Sequence, residues 1–479
     1  MKIGPVINFL GALLSFIGAF MLFSAAWALY YGEPELTQLA ISAAFTSGIG
    51  YLFWRFSDPG PGIGIREGFA IVSLGWLVMA LFGALPFMIT GTIPSFTNAV
   101  FEAMSGFTTT GASILTNIEA LPKSILFWRS FTHWLGGMGI IVFSLAILPV
   151  LGIGGMQLFK AEAPGPTKDK LTPRINQTAK LLWGVYVLLS GIETVLLMFC
   201  GMDLFEALCH TFGTMATGGF STRNASIAAY ENPWVHWVII IFMIMAGTNF
   251  ALHYRALLGK PLLYFKDTEF KFYLGSIITA IIIVIVFSWT RFDSAGSGVR
   301  DSIFQVVSLC TTTGYVTANY EAWHPLAVLV LIILMFMGGM AGSTGGGMKM
   351  MRCMILLRHA HNEIKKLIHP NAIFPIRFGQ RITPPEVTTN ILGFFLLYIV
   401  IFVIGALILS ALGLDFQTSF GASIACLANI GPSIGDVGPM GNYSAMPGLA
   451  KWILILMMLM GRLELFTVLV LFSRSFWKK

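Results

Sequence analysis

Four short strings in this chain of 479 residues have a backbone composition that suits the binding of a cation. They read TTGA at 109–112, ATGG at 216–219, TTGY at 312–315 and NIGP at 429–432. Carbonyl oxygens of such strings, turned toward a shared axis, can replace the hydration shell of a monovalent cation. Glycine allows backbone angles that are closed to other residues and lets carbonyls approach the ion closely. The pattern therefore predicts an ion path.

Aligned with one another, the strings share a single column, which we assign to Gly111, Gly218, Gly314 and Gly431. The spacings of 107, 96 and 117 residues correspond to about one helix–loop–helix unit each, so the chain contains four similar units. We predict that the filter carbonyls belong to Thr109, Thr110, Gly111, Thr217, Gly218, Thr312, Thr313, Gly314, Asn429, Ile430 and Gly431.

Each string ends an apolar segment that is too short to cross a membrane. The segments are 95–113, 203–221, 301–316 and 415–433, and each is predicted to be a re-entrant half-helix. Candidate N-caps stand at their starts, namely Ser95, Asp203, Asp301 and Asp415. The partly negative C-terminal ends of these helices point at the filter, which further favours a cation.

The composition is that of a polytopic membrane protein, with 56% hydrophobic and 11% charged residues and a mean hydropathy of +0.79. Hydropathy predicts ten spans, at about 5–30, 36–54, 68–90, 128–150, 179–200, 234–258, 270–290, 325–341, 390–412 and 448–472. The first is interpreted as a retained span because no cleavage site for a signal peptide follows it.

The net charge is +7, but the basic and acidic residues are segregated into alternate loops, which argues against a nucleic-acid partner. Lysine and arginine cluster in the loops 160–174, 255–271 and 349–381, whereas the intervening loops are acid-rich. This alternation follows the positive-inside rule and predicts basic loops and both termini in the cytoplasm.

The predicted fold class is an all-α integral membrane protein, in which four parallel helix–pore loop–helix repeats surround a central pore and two transmembrane helices precede them. The predicted units are residues 1–67 for the N-terminal pair, then 68–155, 156–260, 261–370 and 371–479 for the four repeats.

A glycine-rich stretch, MGGMAGSTGGGMKMMR at 337–352, interrupts the second span of the third repeat. Glycine costs a helix about 1 kcal/mol relative to alanine, so we predict a flexible intramembrane loop below the filter. A close helix-packing seam is the alternative. The Walker-A interpretation fails because Lys349 is misplaced and no strand precedes it. The predicted gate residues are Gly338, Gly339, Gly342, Ser343, Thr344, Gly345, Gly346, Gly347, Lys349 and Arg462.

Arg462 and Glu464 are charges within the last predicted span, and such charges indicate function by default. Arg462 is expected to hold the glycine-rich loop through its carbonyls or to form a positive barrier. A purely structural pair with Glu464 is the alternative.

Glu193 is interpreted as a packing partner, the five cysteines as ordinary buried residues, and His359, His361 and His369 as a solvated surface.

These motifs together, FEAMSGFTTTGAS, MATGGFS, CTTTGYV and ANIGPS with GGMAGSTGGGMK and GRLEL, resemble the Trk/Ktr/HKT superfamily of potassium transport proteins over essentially the whole chain. The two extra N-terminal spans resemble the bacterial Trk branch (TrkH-type). The resemblance implies selective K⁺ uptake across the bacterial inner membrane, with Gly338–Lys349 as the gating loop and Arg462 as its partner. It also implies a homodimer and a cytoplasmic nucleotide-binding regulatory subunit (a TrkA-like ring) on the basic loops. The fourth string departs from the family pattern at Ser433, where many relatives have glycine.

The leading hypothesis is therefore potassium uptake through a gated pore, with K⁺ as the transported ion and no organic cofactor. A symporter that couples K⁺ to H⁺ or Na⁺ is the alternative, for which Glu193, Glu464 and Arg462 are the available ionisable groups. An enzyme is not expected, because no nucleophile, base and metal-ligand set converges at one depth.

Overall fold

The computed structural model describes residues 1–58, 60, 64–146, 171–292, 294–379 and 381–477. Several of the basic residues that set the predicted topology, namely Lys160, Lys168, Lys170, Lys478 and Lys479, lie outside this range. The predicted boundary between residues 155 and 156 and the end of the span 128–150 also lie outside it. The described part is helical, apart from a hairpin of Arg377–Phe378 with Arg381–Ile382.

Two long helices, Ile3–Tyr31 and Leu36–Phe56, form an antiparallel pair at the N-terminus. Glycine makes this packing close, because a Cβ atom on Gly18 or Gly50 would collide with backbone atoms of the facing helix. The pair lies against the first repeat through contacts with helices Ile65–Gly83 and Lys123–Ala146. The predicted N-terminal two-span unit thus packs on the repeats as an added hairpin.

Each of the following four repeats has an outer helix, a short pore helix and an inner helix. The outer helices are Ile65–Gly83 (continued by Leu85–Ile89), Leu171–Phe199, Thr268–Ser288 and Pro385–Ala411. The pore helices are Phe96–Phe107, Leu204–Met215, Ala295–Cys310 and Phe416–Leu427. The inner helix of the first repeat is Lys123–Ala146. In the other three repeats the first part of the inner helix is Pro233–Ala246, Pro325–Met337 and Gly448–Arg462, respectively. The remaining helices are Phe250–Leu257, Leu263–Lys266, Met350–Ile368, Phe466–Leu469 and Arg474–Trp477.

The pore helices confirm the half-helix prediction. Three of them have 12 residues, which at 1.5 Å per residue is about 18 Å, well short of a hydrocarbon layer. The carboxylates of Asp203 and Asp415 accept backbone N–H groups of the first turn, as expected for N-caps. The prediction for Asp301 is wrong, because the third pore helix has 16 residues and is capped by Ser294 instead. Gly298, in the first turn of this longer helix, packs directly on Phe292, whose side chain a Cβ atom at that position would overlap.

The ten-span prediction needs correction at the inner helices of repeats 2, 3 and 4. Within the described residues, six helices are long and apolar enough to cross a membrane. The predicted continuous spans 234–258 and 448–472 are instead bent pairs, with angles of 102° and 113° between Pro233–Ala246 and Phe250–Leu257 and between Gly448–Arg462 and Phe466–Phe472. The predicted span 128–150 corresponds to Lys123–Ala146 over its described part. The predicted span 325–341 is wrong as a continuous span, because its helix, Pro325–Met337, has only 13 residues and is too short to cross a membrane. Breaks in the inner helices of repeats 2, 3 and 4 therefore create non-helical backbone in the interior of the molecule.

Both chain ends lie at the same end of the molecule. Val6, Ala70 and Phe476 belong to one small apolar cluster, on which Met1 also packs. The backbone N–H of Lys2 donates to Glu67 Oε1 at 2.7 Å, which joins the N-terminus to the start of the first outer helix. This arrangement agrees with an even number of membrane crossings.

Candidate functional site

The four strings come together as one closed ring. We call their residues 109–111, 217–219, 312–314 and 429–431 strands 1 to 4, although they form no β-sheet, and each strand touches the next. At each step, a Cβ atom added to a glycine of one string would overlap a carbonyl oxygen of the following string. The pairs, in order around the ring, are Gly111 with Gly218 O, Gly219 with Thr313 O, Gly314 with Ile430 O and Gly431 with Thr110 O. Any side chain at these positions would push two strands apart, so the ring requires glycine in all four strands.

Backbone angles establish which residues of the strings are equivalent. The first residue of each strand is left-handed, with φ of 52° at Thr109, 53° at Thr217, 62° at Thr312 and 57° at Asn429. Two residues later a glycine is left-handed in every strand, at Gly111, Gly219, Gly314 and Gly431, with φ between 78° and 92°. A left-handed threonine costs roughly 1–2 kcal/mol, and such strain is concentrated at functional sites.

The predicted glycine column is therefore wrong in the second string. Gly219 is the equivalent of Gly111, whereas Gly218 belongs one layer earlier, with Thr110, Thr313 and Ile430. Gly219 is a site residue that the sequence analysis missed. A three-residue pattern would have identified it: threonine or asparagine first, any residue second and glycine third. This pattern aligns TTG, TGG, TTG and NIG.

A buried ion pair fixes the strands of the first two repeats from behind. Arg129 Nε lies 2.7 Å from Glu102 Oε1, and both side chains are at most 2% exposed. Glu102 also accepts the backbone N–H of Ile114 at 2.9 Å, and Arg129 donates to Ser221 O at 2.9 Å. This pair therefore links the outer ends of strands 1 and 2. The link is costly to break, because removal of one partner would leave an uncompensated buried charge.

The glycine-rich segment 338–349 is not helical and lies at the C-terminal ends of the pore helices, which confirms the prediction of a loop over that of a helix-packing seam. Its backbone and the side chain of Thr344 contact three repeats. Gly346 N donates to Thr312 Oγ1 at 2.6 Å, and Gly347 N donates to Ala428 O at 3.0 Å. Thr344 Oγ1 donates to Met215 O at 3.0 Å. The loop thus crosses directly below the ring of strands. We call residues 338–349 the gate loop from here on, after the role that the sequence predicts for them.

Arg462 holds the gate loop from the end of the last inner helix. Its guanidinium donates to Thr344 O at 2.7 Å and to Gly136 O, in the first repeat, at 3.1 Å. Glu464 pairs with Arg352 and not with Arg462, so the predicted alternative of a structural Arg462–Glu464 pair is wrong. Arg462 therefore couples the gate loop to repeat 1, to which the loop backbone makes no hydrogen bond among the described residues.

Two basic residues at the C-terminal end of the loop, Lys349 within it and Arg352 just after it, also make contacts that hold it. Lys349 has a left-handed backbone, with φ of 74°, and its ammonium group donates to Gly345 O within the loop. Arg352 packs its guanidinium 4.1 Å from the ring centre of Phe394. The loop end is consequently fixed by its own lysine and by an arginine–aromatic contact with the outer helix of repeat 4.

Glu269 is a second residue that the sequence analysis missed. Its Oε1 atom accepts the N–H of Ala341 at 2.7 Å and the N–H of Met351 at 3.1 Å. The first bond fixes the beginning of the gate loop, and the second satisfies an unpaired donor in the first turn of helix Met350–Ile368. Only its position at the start of an apolar span, where a buried acid is unusual, could have signalled it.

Glu193 and His359 belong to neither the four strands nor the gate loop. Glu193 is completely buried in the outer helix of repeat 2. His359 lies 3.7 Å from Glu363 on the exposed face of helix Met350–Ile368. Within the described residues, no group of three or more histidine, cysteine or acidic side chains is placed to hold a metal ion.

Comparison with known proteins gives a consistent result. A family model described as "TrkH: Cation transport protein" matches residues 36–479. The chain is 44% identical over 419 residues to the Trk system potassium uptake protein TrkH of Escherichia coli K12, covering 86% of each chain. It is 36% identical over 460 residues to TrkG of the same organism, covering 94% of each. The crystal structure of the potassium transporter TrkH from Vibrio parahaemolyticus superposes with a TM-score of 0.93, at 36% identity and full coverage of both chains.

Proposed function

Because the chain belongs to the TrkH family of cation transport proteins, we propose that it takes up potassium ions through the ring of four strands, under control of the gate loop. It is a multi-pass membrane protein and a transporter, not an enzyme. The single observation that carries the filter proposal is the closed ring of glycine–carbonyl contacts, which brings the four strings to one axis.

In the proposed filter, backbone carbonyls of three successive layers replace the water molecules around K⁺. The layers, after the correction at Gly219, are Thr109, Thr217, Thr312 and Asn429, then Thr110, Gly218, Thr313 and Ile430, then Gly111, Gly219, Gly314 and Gly431. All four pore helices end at this ring, so their partial negative charges add to the attraction for a cation.

In the proposed gate, conduction requires the gate loop to leave its position below the ring. Its hydrogen bonds to Thr312, Ala428 and Met215, together with the Arg462 contacts, stabilise the closed conformation. The glycines give the loop the backbone freedom to move, since it can change conformation without steric cost from side chains.

We propose the bacterial inner membrane as the location, with the basic loops and both termini in the cytoplasm. The shared apolar cluster of both chain ends supports this topology. We further propose a homodimer and a cytoplasmic nucleotide-binding regulatory subunit, a TrkA-like ring, as partners. Residues such as Arg358, Lys365 and Lys366, on a helix continuous with the gate loop, give such a subunit a direct mechanical connection to it.

Reconstituted protein should show potential-driven uptake of K⁺ and Rb⁺ that clearly exceeds uptake of Na⁺ in proteoliposomes. The measurement is isotope or fluorescence flux with each ion in turn, with and without the regulatory subunit and nucleotide. A reversal potential that follows the pH or Na⁺ gradient would instead establish coupled symport. Equal uptake of the three ions would contradict the filter.

Replacing Glu269 by alanine should raise K⁺ uptake by about threefold to fivefold, because two hydrogen bonds to the loop region, each worth about 1 kcal/mol net, are lost and part of that energy favours the closed state. The selectivity ratio should not change. Glu386→Ala is the matched control, because both acids lie in the first turn of an outer helix, but Glu386 is exposed whereas Glu269 is buried. Uptake equal to that of the control would exclude a role for Glu269 in the gate.

A further inference from the structure

We propose that Tyr443 is a positioning residue that sets ion selectivity by holding the carbonyl of Gly431 in the fourth strand. This inference rests on the proposed filter and assigns a role to a residue outside the four strings. It is carried by a hydrogen bond to the glycine carbonyl of the fourth strand, for which the other three strands have no counterpart among the described residues.

Tyr443 lies at the junction between repeats 4 and 1. Its hydroxyl donates to Gly431 O at 2.6 Å, and its own backbone N–H donates to Ser113 O, in repeat 1, at 2.8 Å. The side chain is 2% exposed, and its ring lies 5.4 Å from the ring of Phe101, on the first pore helix. Its position is thus fixed by the first repeat, while its hydroxyl acts on the fourth.

The glycine layer of the ring is asymmetric as a result. Within the part of the chain that the structure describes, the carbonyl oxygens of Gly111, Gly219 and Gly314 accept no hydrogen bond, whereas that of Gly431 accepts one. A carbonyl oxygen has two lone pairs, so Gly431 O can still face an ion with the other. Its direction and its freedom to move, however, are set by the tyrosine.

The fourth strand depends on this bond because it lacks the clamp that the other pore helices supply. The residue seven positions before each strand holds the outgoing chain in three repeats. Glu102 accepts Ile114 N, and His210 Nε2 lies 3.0 Å from Ser221 Oγ. Gln305, with its amide oriented to satisfy its neighbours, accepts Thr317 N at 2.7 Å. The corresponding residue in repeat 4 is Ala422, which has no group that could do this.

A second tyrosine holds the same strand further out. Tyr320, from repeat 3, donates its hydroxyl to Ser433 O at 2.6 Å. The fourth strand is therefore held by tyrosine hydroxyls of neighbouring segments at two points, Gly431 and Ser433, whereas Thr418 of its own pore helix accepts a backbone N–H further out, that of Asp436 at 2.9 Å. Of the two tyrosine bonds, only that of Tyr443 reaches a residue of the proposed ion-binding layers.

Replacing Tyr443 by phenylalanine should lower the K⁺ over Na⁺ uptake ratio about fivefold, while K⁺ uptake stays within about twofold of the parent. Phenylalanine keeps the packing on Phe101 but frees Gly431 O, which can then move toward the smaller ion. At 1.4 kcal/mol per tenfold, a fivefold change corresponds to about 1 kcal/mol, the net strength of one hydrogen bond.

The test compares K⁺, Rb⁺ and Na⁺ uptake in proteoliposomes for the parent, Tyr443→Phe, Gly314→Ser and Tyr398→Phe. Tyr398 is the matched control, because it is a buried tyrosine of the same repeat whose hydroxyl has no hydrogen-bond partner among the described residues. Its loss should leave the ratio unchanged. Thermal unfolding in KCl compared with NaCl is the second readout, and the extra stabilisation by K⁺ should shrink in Tyr443→Phe even where flux is low.

An unchanged ratio in Tyr443→Phe, alongside a changed ratio in Gly314→Ser, would overturn the role of Tyr443 and leave the filter intact. A fall in K⁺ uptake with an unchanged ratio would do the same, because it would reveal a structural role only. Unchanged ratios in both variants would instead refute the filter assignment on which the inference rests.

Discussion

Gly314→Ser should lower the K⁺ over Na⁺ uptake ratio by about tenfold or more, the largest selectivity effect that we expect from any single substitution. The backbone at Gly314 has φ of 79°, a conformation that side chains make costly. An added Cβ atom would also overlap Ile430 O in the neighbouring strand, so strands 3 and 4 must separate. The measurement is paired K⁺ and Na⁺ uptake into proteoliposomes driven by the same membrane potential.

The control for this substitution is Gly91→Ser. Gly91 has almost the same backbone angle, with φ of 75°, but a Cβ atom there would meet nothing within 4 Å. The backbone strain is therefore matched, and only the contact with the ring differs. Gly111→Ser and Gly219→Ser should behave like Gly314→Ser, which also tests the corrected alignment. Unchanged selectivity in both Gly111→Ser and Gly314→Ser would rule out the filter.

Arg462→Ala should raise K⁺ uptake by about tenfold and leave the selectivity ratio unchanged. The substitution removes the donor from Thr344 O and Gly136 O, and a hydrogen bond from a charged donor is worth about 1.5–3 kcal/mol. The closed conformation loses this stabilisation, whereas the ring of strands keeps all its contacts. Shortening the tract 341–347 should have the same effect, because a shorter loop cannot reach the three repeats together. Uptake by the isolated protein, without a regulatory subunit, is the measurement.

Arg474→Ala is the control for the loss of a positive charge, since Arg474 is exposed near the C-terminal end of the same repeat. Arg462→Lys should give an intermediate uptake, because one ammonium group cannot reproduce the forked guanidinium that reaches both carbonyls. Loss of selectivity in Arg462→Ala would show that the gate loop contributes to ion selection, contrary to the proposed assignment. Unchanged uptake would show that another element closes the path.

The repeat architecture could be predicted from the sequence because each signal was local. A capped apolar segment of about 12 residues that ends in threonine or asparagine, any residue, then glycine is recognisable without tertiary information. The alignment at ATGG failed for a physical reason. Two adjacent glycines allow two alignments, and only the backbone angle distinguishes Gly219, which is left-handed, from Gly218, which is not.

The features that the sequence did not reveal depend on contacts between distant segments. The bend after Ala246 is held by hydrogen bonds with the gate loop, Met340 N to Gly247 O and Phe250 N to Gly342 O. Hydropathy counts apolar residues and is insensitive to such bonds, so it predicted one straight span. The role of Glu269 likewise depends on two donors that are 72 and 82 residues away in the chain.

The hydrogen bond between Gly346 N and Thr312 Oγ1 would link the proposed filter to the proposed gate thermodynamically, because Thr312 belongs both to the first layer of that filter and to the anchorage of the gate loop. An ion that reorients the Thr312 hydroxyl weakens the anchorage, and departure of the loop in turn changes the affinity of that layer for the ion. Linkage requires the two effects to be equal in free energy. In this proposed mechanism we expect potassium bound at the first layer to favour opening, so that occupancy and opening rise together.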